Sequence, residues 1–237
     1  MKLNQTNQIL ERLKLLPTAT IYSAVKHFGF DPCWMKGVHT YTPGQKLVGQ
    51  AQTLRFVPPR ADILKETKLK ENSPEYQAMG STGPGKLIVM DAMGKDWASI
   101  GGDVKLLHLK IKGAEGLVTD GAVRDLDAVK SYGFPIFASG RTGAVGEPDI
   151  HPFEAGGTIQ CGGVVVRPGD FIIGDDDGVV VVYSEIVKET IEWAEKHESY
   201  EEFAKSLIES EKVAPGKYYP INEKLLDSLR NQNNTPE

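Results

Sequence analysis

The sequence predicts an α/β fold: central mixed sheets flanked by helices. Three observations carry this expectation. A Pro-Gly pair followed by a β-branched apolar run occurs three times, at Pro43, Pro84 and Pro168, and such pairs mark turns that lead into strands. Between residues 84 and 140 the apolar spacing switches repeatedly between strand and helix periods, the pattern of parallel strands joined by helical crossovers. Residues 6–28 and 184–212, one stretch towards each end of the chain, carry helical spacing.

In chain order, Ile9, Leu10, Leu13, Leu15, Leu16, Ile21, Tyr22, Val25 and Phe28 are interrupted by Pro17. Proline ends a helix, so two short helices are predicted, and with no chemical groups clustered there they read as a packing cap. The strands PGQKLVGQAQTLRF and PGKLIVMDAMG follow. Next, DVKLLHLKIKGAEG places Val104, Leu106, Leu107, Leu109 and Ile111 at helical intervals, with Gly113 as the stop. The strand EGLVTDG closes on Asp120-Gly121, read as a turn. RDLDAVKSYG is helical up to Gly133 and leads into the short strand FPIFASG.

From Arg141 to Gly157 the chain is rich in Gly and Pro with no period, and is predicted to be a loop over the surface or over a site. The third Pro-Gly strand, PGDFIIGDDDGVVVV, contains three consecutive acids. They lack the remaining EF-hand positions, so a tight hairpin turn is expected rather than a metal loop. Residues 184–212 form a charged helix or helix pair, and the tail NQNNTPE is expected to be disordered. The organisation expected is a β/α domain with its helical cap over 1–183, a helical extension over 184–230 and a tail over 231–237.

Composition bounds the function. With 237 residues, 40% apolar and 25% charged, the chain can bury a substantial core. A net charge of −5 gives no footprint for a polyanion, so nucleic acid is not expected as a partner. The basic stretch Lys105, Lys110 and Lys112, followed by Glu115, reads as a solvated helix face. Cys33 and Cys161, 128 positions apart, make neither a metal pair nor a disulfide framework. No apolar run approaches the roughly 20 residues that span a bilayer, and the first residues are too polar for a secretory signal. A cytoplasmic protein without membrane contact is expected.

Ligands of α/β folds collect beyond the carboxyl ends of strands, where a following helix offers unpaired backbone N–H groups. Two segments have that form. Gly101-Gly102-Asp103 opens one helix and Arg124-Asp125 opens the next, 21 positions after Asp103. Backbone amides and a guanidinium suit a substrate carboxylate, and Asp125 suits a hard cation that keeps waters and substrate as its other ligands. Spacing alone leaves a second reading open, since Asp is favoured near helix starts and Arg-Asp neighbours are common on surfaces. The five histidines are scattered, His108 within a predicted helix, which argues against a His-built zinc site. No G-x-S-x-G, P-loop or G-x-G-x-x-G motif follows a strand, which removes serine-hydrolase, NTPase and dinucleotide readings.

The segments GGDVKLL, GAEGLVTDGAVRDLDAV, GFPIFASG, CGGVVVRPGDFIIGDDDGVVVV and PGKLIVMDAMG together resemble the RraA-like family, in order from about Gly49 to Tyr183. That family includes the 4-hydroxy-4-methyl-2-oxoglutarate / 4-carboxy-4-hydroxy-2-oxoadipate aldolases and the regulator of ribonuclease activity A. The resemblance implies a swivelling β/β/α domain, a homotrimer or a hexamer (dimer of trimers), and sites at subunit interfaces. It implies that Gly102, Asp103, Val104 and Lys105 bind a pyruvyl carboxylate, that Arg124 contacts the keto acid, and that Asp125 holds Mg²⁺, with Mn²⁺ as the alternative. It also implies an acid from a neighbour's C-terminal helix, for which Glu201 or Glu202 is available.

The activity implied is a metal-dependent lyase that releases pyruvate from a 4-hydroxy-2-keto acid and decarboxylates oxaloacetate as a side reaction, with Asp103, Arg124 and Glu201 as its catalytic groups. A non-catalytic regulator of an RNA-processing enzyme and a dehydratase of a sugar-derived 2-keto acid are the alternatives. Three features depart from the aldolases. Ala128 stands at the motif's second acid, with Asp127 one place early; Ser23-Ala24-Val25 replaces Asp-Ala-Leu; and the C-terminus is longer.

Overall fold

The computed structural model of the protein describes residues 2–67 and 70–233. Helices α1 (Lys2–Lys14) and α2 (Thr18–His27) flank Pro17, whose φ of −61° suits the residue before a helix. The strands are β1 (His39–Thr40), β2 (Leu47–Val57), β3 (Lys86–Asp91), β4 (Ser99–Gly101), β5 (Leu117–Val123), β6 (Ile136–Arg141), β7 (His151–Ala155), β8 (Ile159–Cys161), β9 (Val164–Val166), β10 (Phe171–Asp175) and β11 (Gly178–Val182). Between them lie α3 (Ala61–Glu66), α4 (Pro74–Gly80), α5 (Asp103–Lys112) and α6 (Leu126–Lys130), and the chain closes with α7 (Val187–Glu211) and α8 (Glu223–Asn233).

The main sheet runs β1-β6-β5-β3-β2-β10-β11, with β4 attached to β5 and β7 to β2. Strands β2, β3, β5 and β6 are parallel to their neighbours in that series, while β1, β7, β10 and β11 pair antiparallel. This is the mixed sheet the alternation predicts, and it curls until β1 and β11 come into contact.

Both faces of the sheet are covered, which explains runs such as Leu87 to Met90 with no polar interruption. Leu87 and Val89 point into a cluster with Phe137, Ile172, Val179 and Val181. Ile88 and Met90 point the other way, to Leu54, Leu106, Leu109, Leu117 and Ile136. A third cluster seats the N-terminal cap: Leu10, Leu13, Leu16, Ile21, Ala24 and Val25 pack on Phe171, Ile173, Val180 and Val182 of the hairpin and on Val187 and Ile191 of α7. The acidic run forms the expected tight turn, with Asp176 and Asp177 between β10 and β11. Cys33 and Cys161 are buried free thiols.

Four expectations need correction. Asp120-Gly121 is no turn but lies inside β5, fully buried. A side chain at Gly121 would approach Ala92 Cβ to 2.6 Å, so the glycine serves a close packing contact within a strand that bulges between Thr119 and Ala122. The Asp120 carboxyl, pushed up by burial, accepts hydrogen bonds from Ala92 N and Gln160 Nε2. The loop from Arg141 to Gly157 contains β7, because β2 is 11 residues long and its far end, Leu54–Val57, offers a free ladder despite Pro152. The basic stretch is not wholly solvated: Lys105 Nζ lies 2.8 Å from Glu75 Oε2, and Glu75 is only 9% exposed.

Residues 184–212, expected to be a helix or helix pair, hold the single helix α7 (Val187–Glu211), whose first half packs on α1 and α2 of its own chain. Arg12 fixes it through two hydrogen bonds to Glu195, at 2.7 and 2.6 Å. Its second half, with α8, closes around Ala204, Tyr218 and Leu225. Finally, α8 continues to Asn233, into the tail expected to be disordered, and residues 234–237 lie outside the described residues. Among the described residues, no helix is long and apolar enough to cross a membrane.

Candidate active site

Parallel pairing of β4 with β5 sets Gly101 beside Val123, and Arg124 N donates to Gly101 O at 3.0 Å. Two chain segments that are 21 residues apart are thereby held side by side at the carboxyl ends of adjacent strands. Gly102 precedes α5 in an extended conformation, and its carbonyl accepts the first helical bond from Leu106 N at 2.9 Å. Asp125 precedes α6 with φ 53° and ψ 39°. This left-handed conformation costs a non-glycine residue about 1 kcal/mol or more, and Asp tolerates it better than most.

That conformation turns the Asp125 carboxylate onto Gly102. A Cβ at position 102 would sit 2.2 Å from Asp125 Oδ2, so only glycine leaves the carboxylate where it is. Arg124 Nε stands 3.6 Å from Asp125 Oδ1, with both side chains about four-tenths exposed at 42% and 41%. The separation is too long for a hydrogen bond and leaves both groups free to engage a ligand. Asp103 Oδ1 accepts a 2.7 Å hydrogen bond from Val104 N, so that amide is already engaged by its own helix start. Tyr132 Oη donates to Asp103 O at 2.9 Å and pins the loop from the side of α6.

A cavity of about 670 Å³ opens here, lined by Gly101, Gly102, Lys105 and Arg124 on one side. The other side brings Ser73, Glu75 and Tyr76 from the start of α4 and His151 and Pro152 from β7. Of the residues singled out in the sequence, Gly102, Lys105 and Arg124 line the cavity, while Asp103, Val104 and Asp125 flank these residues along the chain. Glu201 is not brought here by its own chain: it lies on α7, 3.2 Å from His197 Nε2, beside an apolar groove with Ala204, Ile208 and Tyr219.

Ser73, Glu75 and His151 were missed by sequence reasoning. A signal for two of them exists: Ser73-Pro74-Glu75 is a helix start by composition, with Pro at the first position and an acid in the first turn. His151 lies in the segment read as loop and carries no such signal. Two polar atoms here have no partner: Ser73 Oγ, in a residue 6% exposed, and His151 Nε2, both buried.

Among the described residues, no group of three or more His, Cys, Asp or Glu side chains is placed to hold a metal. A caged zinc site needs such a group. Mg²⁺ does not, because one or two carboxylates suffice when water and substrate oxygens complete the octahedron. The half-exposed Asp125 carboxylate, 3.6 Å from the Arg124 guanidinium, is a donor of that second kind.

Comparison with known proteins places these residues in a wider group. A model of the RraA-like family, described as Aldolase/RraA, matches residues 18–181. A protein of Halalkalibacterium halodurans with the name "Putative 4-hydroxy-4-methyl-2-oxoglutarate aldolase" is 37% identical over 145 residues, 61% of this chain and 68% of that one. An uncharacterized protein of Methanocaldococcus jannaschii is 40% identical over 109 residues, 45% of this chain and 52% of its own length. Among solved structures, Streptomyces coelicolor RraAS2, described as an unusual member of the RNase ES inhibitor RraA protein family, superposes with a TM-score of 0.76 at 29% identity. That match covers 84% of this chain and 96% of the other.

Proposed function

This chain belongs to the RraA-like family, and on that premise we propose that it is a divalent-metal-dependent carbon–carbon lyase that cleaves a 4-hydroxy-2-keto acid to pyruvate and a carbonyl fragment. The observation that carries the reading is that Gly102 and Arg124 line one side of a cavity while the Asp125 carboxylate is turned onto Gly102 beside Arg124. The aldolase name given to a relative at 37% identity supports it.

In this reading the backbone N–H groups around Gly102 and Asp103 and the guanidinium of Arg124 take the substrate carboxylate, as the positive end of a helix and a planar fork are suited to do. Asp125 holds Mg²⁺ or Mn²⁺, which when bound supplies Lewis-acid polarisation of the C2 carbonyl. Arg124, beside it, adds fixed positive charge where negative charge grows on the substrate oxygen as the C3–C4 bond breaks. Asp103 orients the water that removes the C4 hydroxyl proton, since its second oxygen is not used by Val104. Glu201 joins the site from a neighbouring copy in a homotrimer or dimer of trimers. Oxaloacetate loses carbon dioxide through the same electron flow without needing a base, and is the expected side reaction.

A competing reading, a non-catalytic regulator of an RNA-processing enzyme, draws on the description of the Streptomyces coelicolor relative. The cavity with orphaned polar atoms favours a small molecule instead. Pyruvate release from 4-hydroxy-2-keto acids with Mg²⁺ or Mn²⁺, and its loss in EDTA, tests the proposal. No turnover with any divalent cation favours the regulator.

A further inference from the structure

The wall of the cavity formed by α4 and β7 carries a feature that a retro-aldol reaction on pyruvyl atoms does not use. Ser73 stands at the N-cap of α4, where a serine hydroxyl normally accepts a hydrogen bond from the first turn. It makes no such bond. Its Oγ is buried without a partner in a residue only 6% exposed, although the residue lines the cavity. His151 Nε2, on the facing strand β7, is also buried and unpartnered, and His151 lines the same space. A buried polar atom left unpaired costs roughly 1–3 kcal/mol, so two on one cavity wall signal a ligand that completes them.

Charge at this wall decides the kind of ligand. Glu75 holds Lys105 at 2.8 Å, and the residue is 9% exposed. Lys105 is therefore committed, and the remaining lysine of this wall, Lys70, is exposed at the rim. A second carboxylate on the substrate would enter beside Glu75 with, Lys70 at the rim apart, no free lysine or arginine among the described residues of this wall to receive it, which is costly. Hydroxyl groups fit, because each can donate and accept towards Ser73 Oγ and His151 Nε2.

We propose that Ser73 and His151 form a hydroxyl-recognising subsite, so that the preferred substrate is a 2-keto acid with one carboxylate and a polyhydroxylated distal chain, such as a 4,5,6-trihydroxy-2-ketohexanoate. The proposal rests on the lyase reading above. In the reaction the C4 hydroxyl loses its proton, the C3–C4 bond breaks with its electron pair going to C3, and C4 becomes the aldehyde carbon of glyceraldehyde. C3 then takes a proton, giving pyruvate, so the two three-carbon products account for every atom of the substrate. Ser73 and His151 are specificity residues here: they touch the C5 and C6 hydroxyls and not the reacting carbons.

The test uses the intact protein with Mg²⁺ and three substrates: 4-hydroxy-2-ketopentanoate, 4-hydroxy-2-ketoglutarate and 4,5,6-trihydroxy-2-ketohexanoate. The trihydroxy acid should have a kcat/KM at least about tenfold above the dicarboxylate, the scale of one or two hydrogen bonds to neutral groups. In Ser73→Ala and, separately, His151→Phe, kcat/KM for the trihydroxy acid should fall about tenfold, mainly through KM, while the pentanoate is cleaved as before. Turnover of the pentanoate with equal or better use of the dicarboxylate overturns the subsite and leaves the lyase reading standing. Equal loss on all three substrates in both variants overturns it as well, since that is the mark of a general structural role. No turnover of any of the three overturns both.

Discussion

Gly102→Ala is the perturbation that most sharply separates the geometry of the site from the stability of the fold. The added methyl would lie 2.2 Å from Asp125 Oδ2, 3.2 Å from Asp125 Cγ and 3.6 Å from Arg124 Cβ. The nearest obstruction is the end of a side chain, and it must move by about 1 Å to restore ordinary contact. The backbone at Gly102, φ −122° and ψ −163°, is one alanine adopts freely. The Asp125 side chain is 41% exposed, so turning it aside costs about 1 kcal/mol.

For a chain of 237 residues that is a fall of about 2–4 °C in Tm. The effect on the metal should be larger. Displacing a ligating carboxylate by this amount resembles loss of its support, worth about 10–100-fold in metal affinity. Thermal unfolding and Mg²⁺ titration of pyruvate release measure the two effects separately, and Gly102→Ala combined with Asp125→Asn should be no worse than Asp125→Asn alone. An unchanged Mg²⁺ dependence in Gly102→Ala, or a loss that adds fully to that of Asp125→Asn, refutes the argument that this carboxylate works from this position.

Two further outcomes follow from the fold. Gly140→Ala would place a methyl 1.9 Å from the backbone carbonyl oxygen of Asp96, which cannot turn aside as a side chain does; a loss of more than about 3 kcal/mol in urea unfolding is expected, and near-native stability would contradict the packing at the end of β6. Burial pushes the Asp175 carboxyl up, but hydrogen bonds from Thr18 and Lys46 outweigh it and hold it below the usual range. A lowered folded value means stability that is present above the unfolded value of about 4 and lost as the pH falls through the folded one. Asp175→Asn should therefore cost about 1–2 kcal/mol at pH 7, with the gap to the wild type closing below about pH 4; a gap that stays constant with pH would contradict the assignment.

The parts of the fold legible in the sequence are those where both the period and the punctuation are local. Strand β3 reads as a strand because Leu87 to Met90 is apolar on both faces, and α5 reads as a helix that begins at Gly102-Asp103 and ends at Gly113, which takes up the left-handed conformation at φ 68°. The two helix starts at Gly102-Asp103 and Arg124-Asp125 were also legible, and the parallel pairing of β4 with β5 is what brings them together.

What was not legible depends on distant partners. Helices α3 and α4, of 6 and 7 residues, are too short to show a period, and β7 owes its strand character to the free end of β2. Asp120-Gly121 has the composition of a turn, yet the need for Gly121 to pass close to Ala92 overrides it. The orphaned atoms of Ser73 and His151 become visible only when burial is known. Glu201 drew attention through a resemblance, and its own chain sets it beside His197 rather than Arg124.

The proposed role of Asp125 as the ligand of a divalent cation is read out by pyruvate release from a 4-hydroxy-2-keto acid by the wild type and by Asp125→Asn. Release with Mg²⁺ or Mn²⁺ is expected, with abolition by EDTA, recovery when metal is restored, and a loss of at least about 100-fold in Asp125→Asn. Turnover that survives EDTA, or a variant as active as the wild type at every metal concentration, would contradict it.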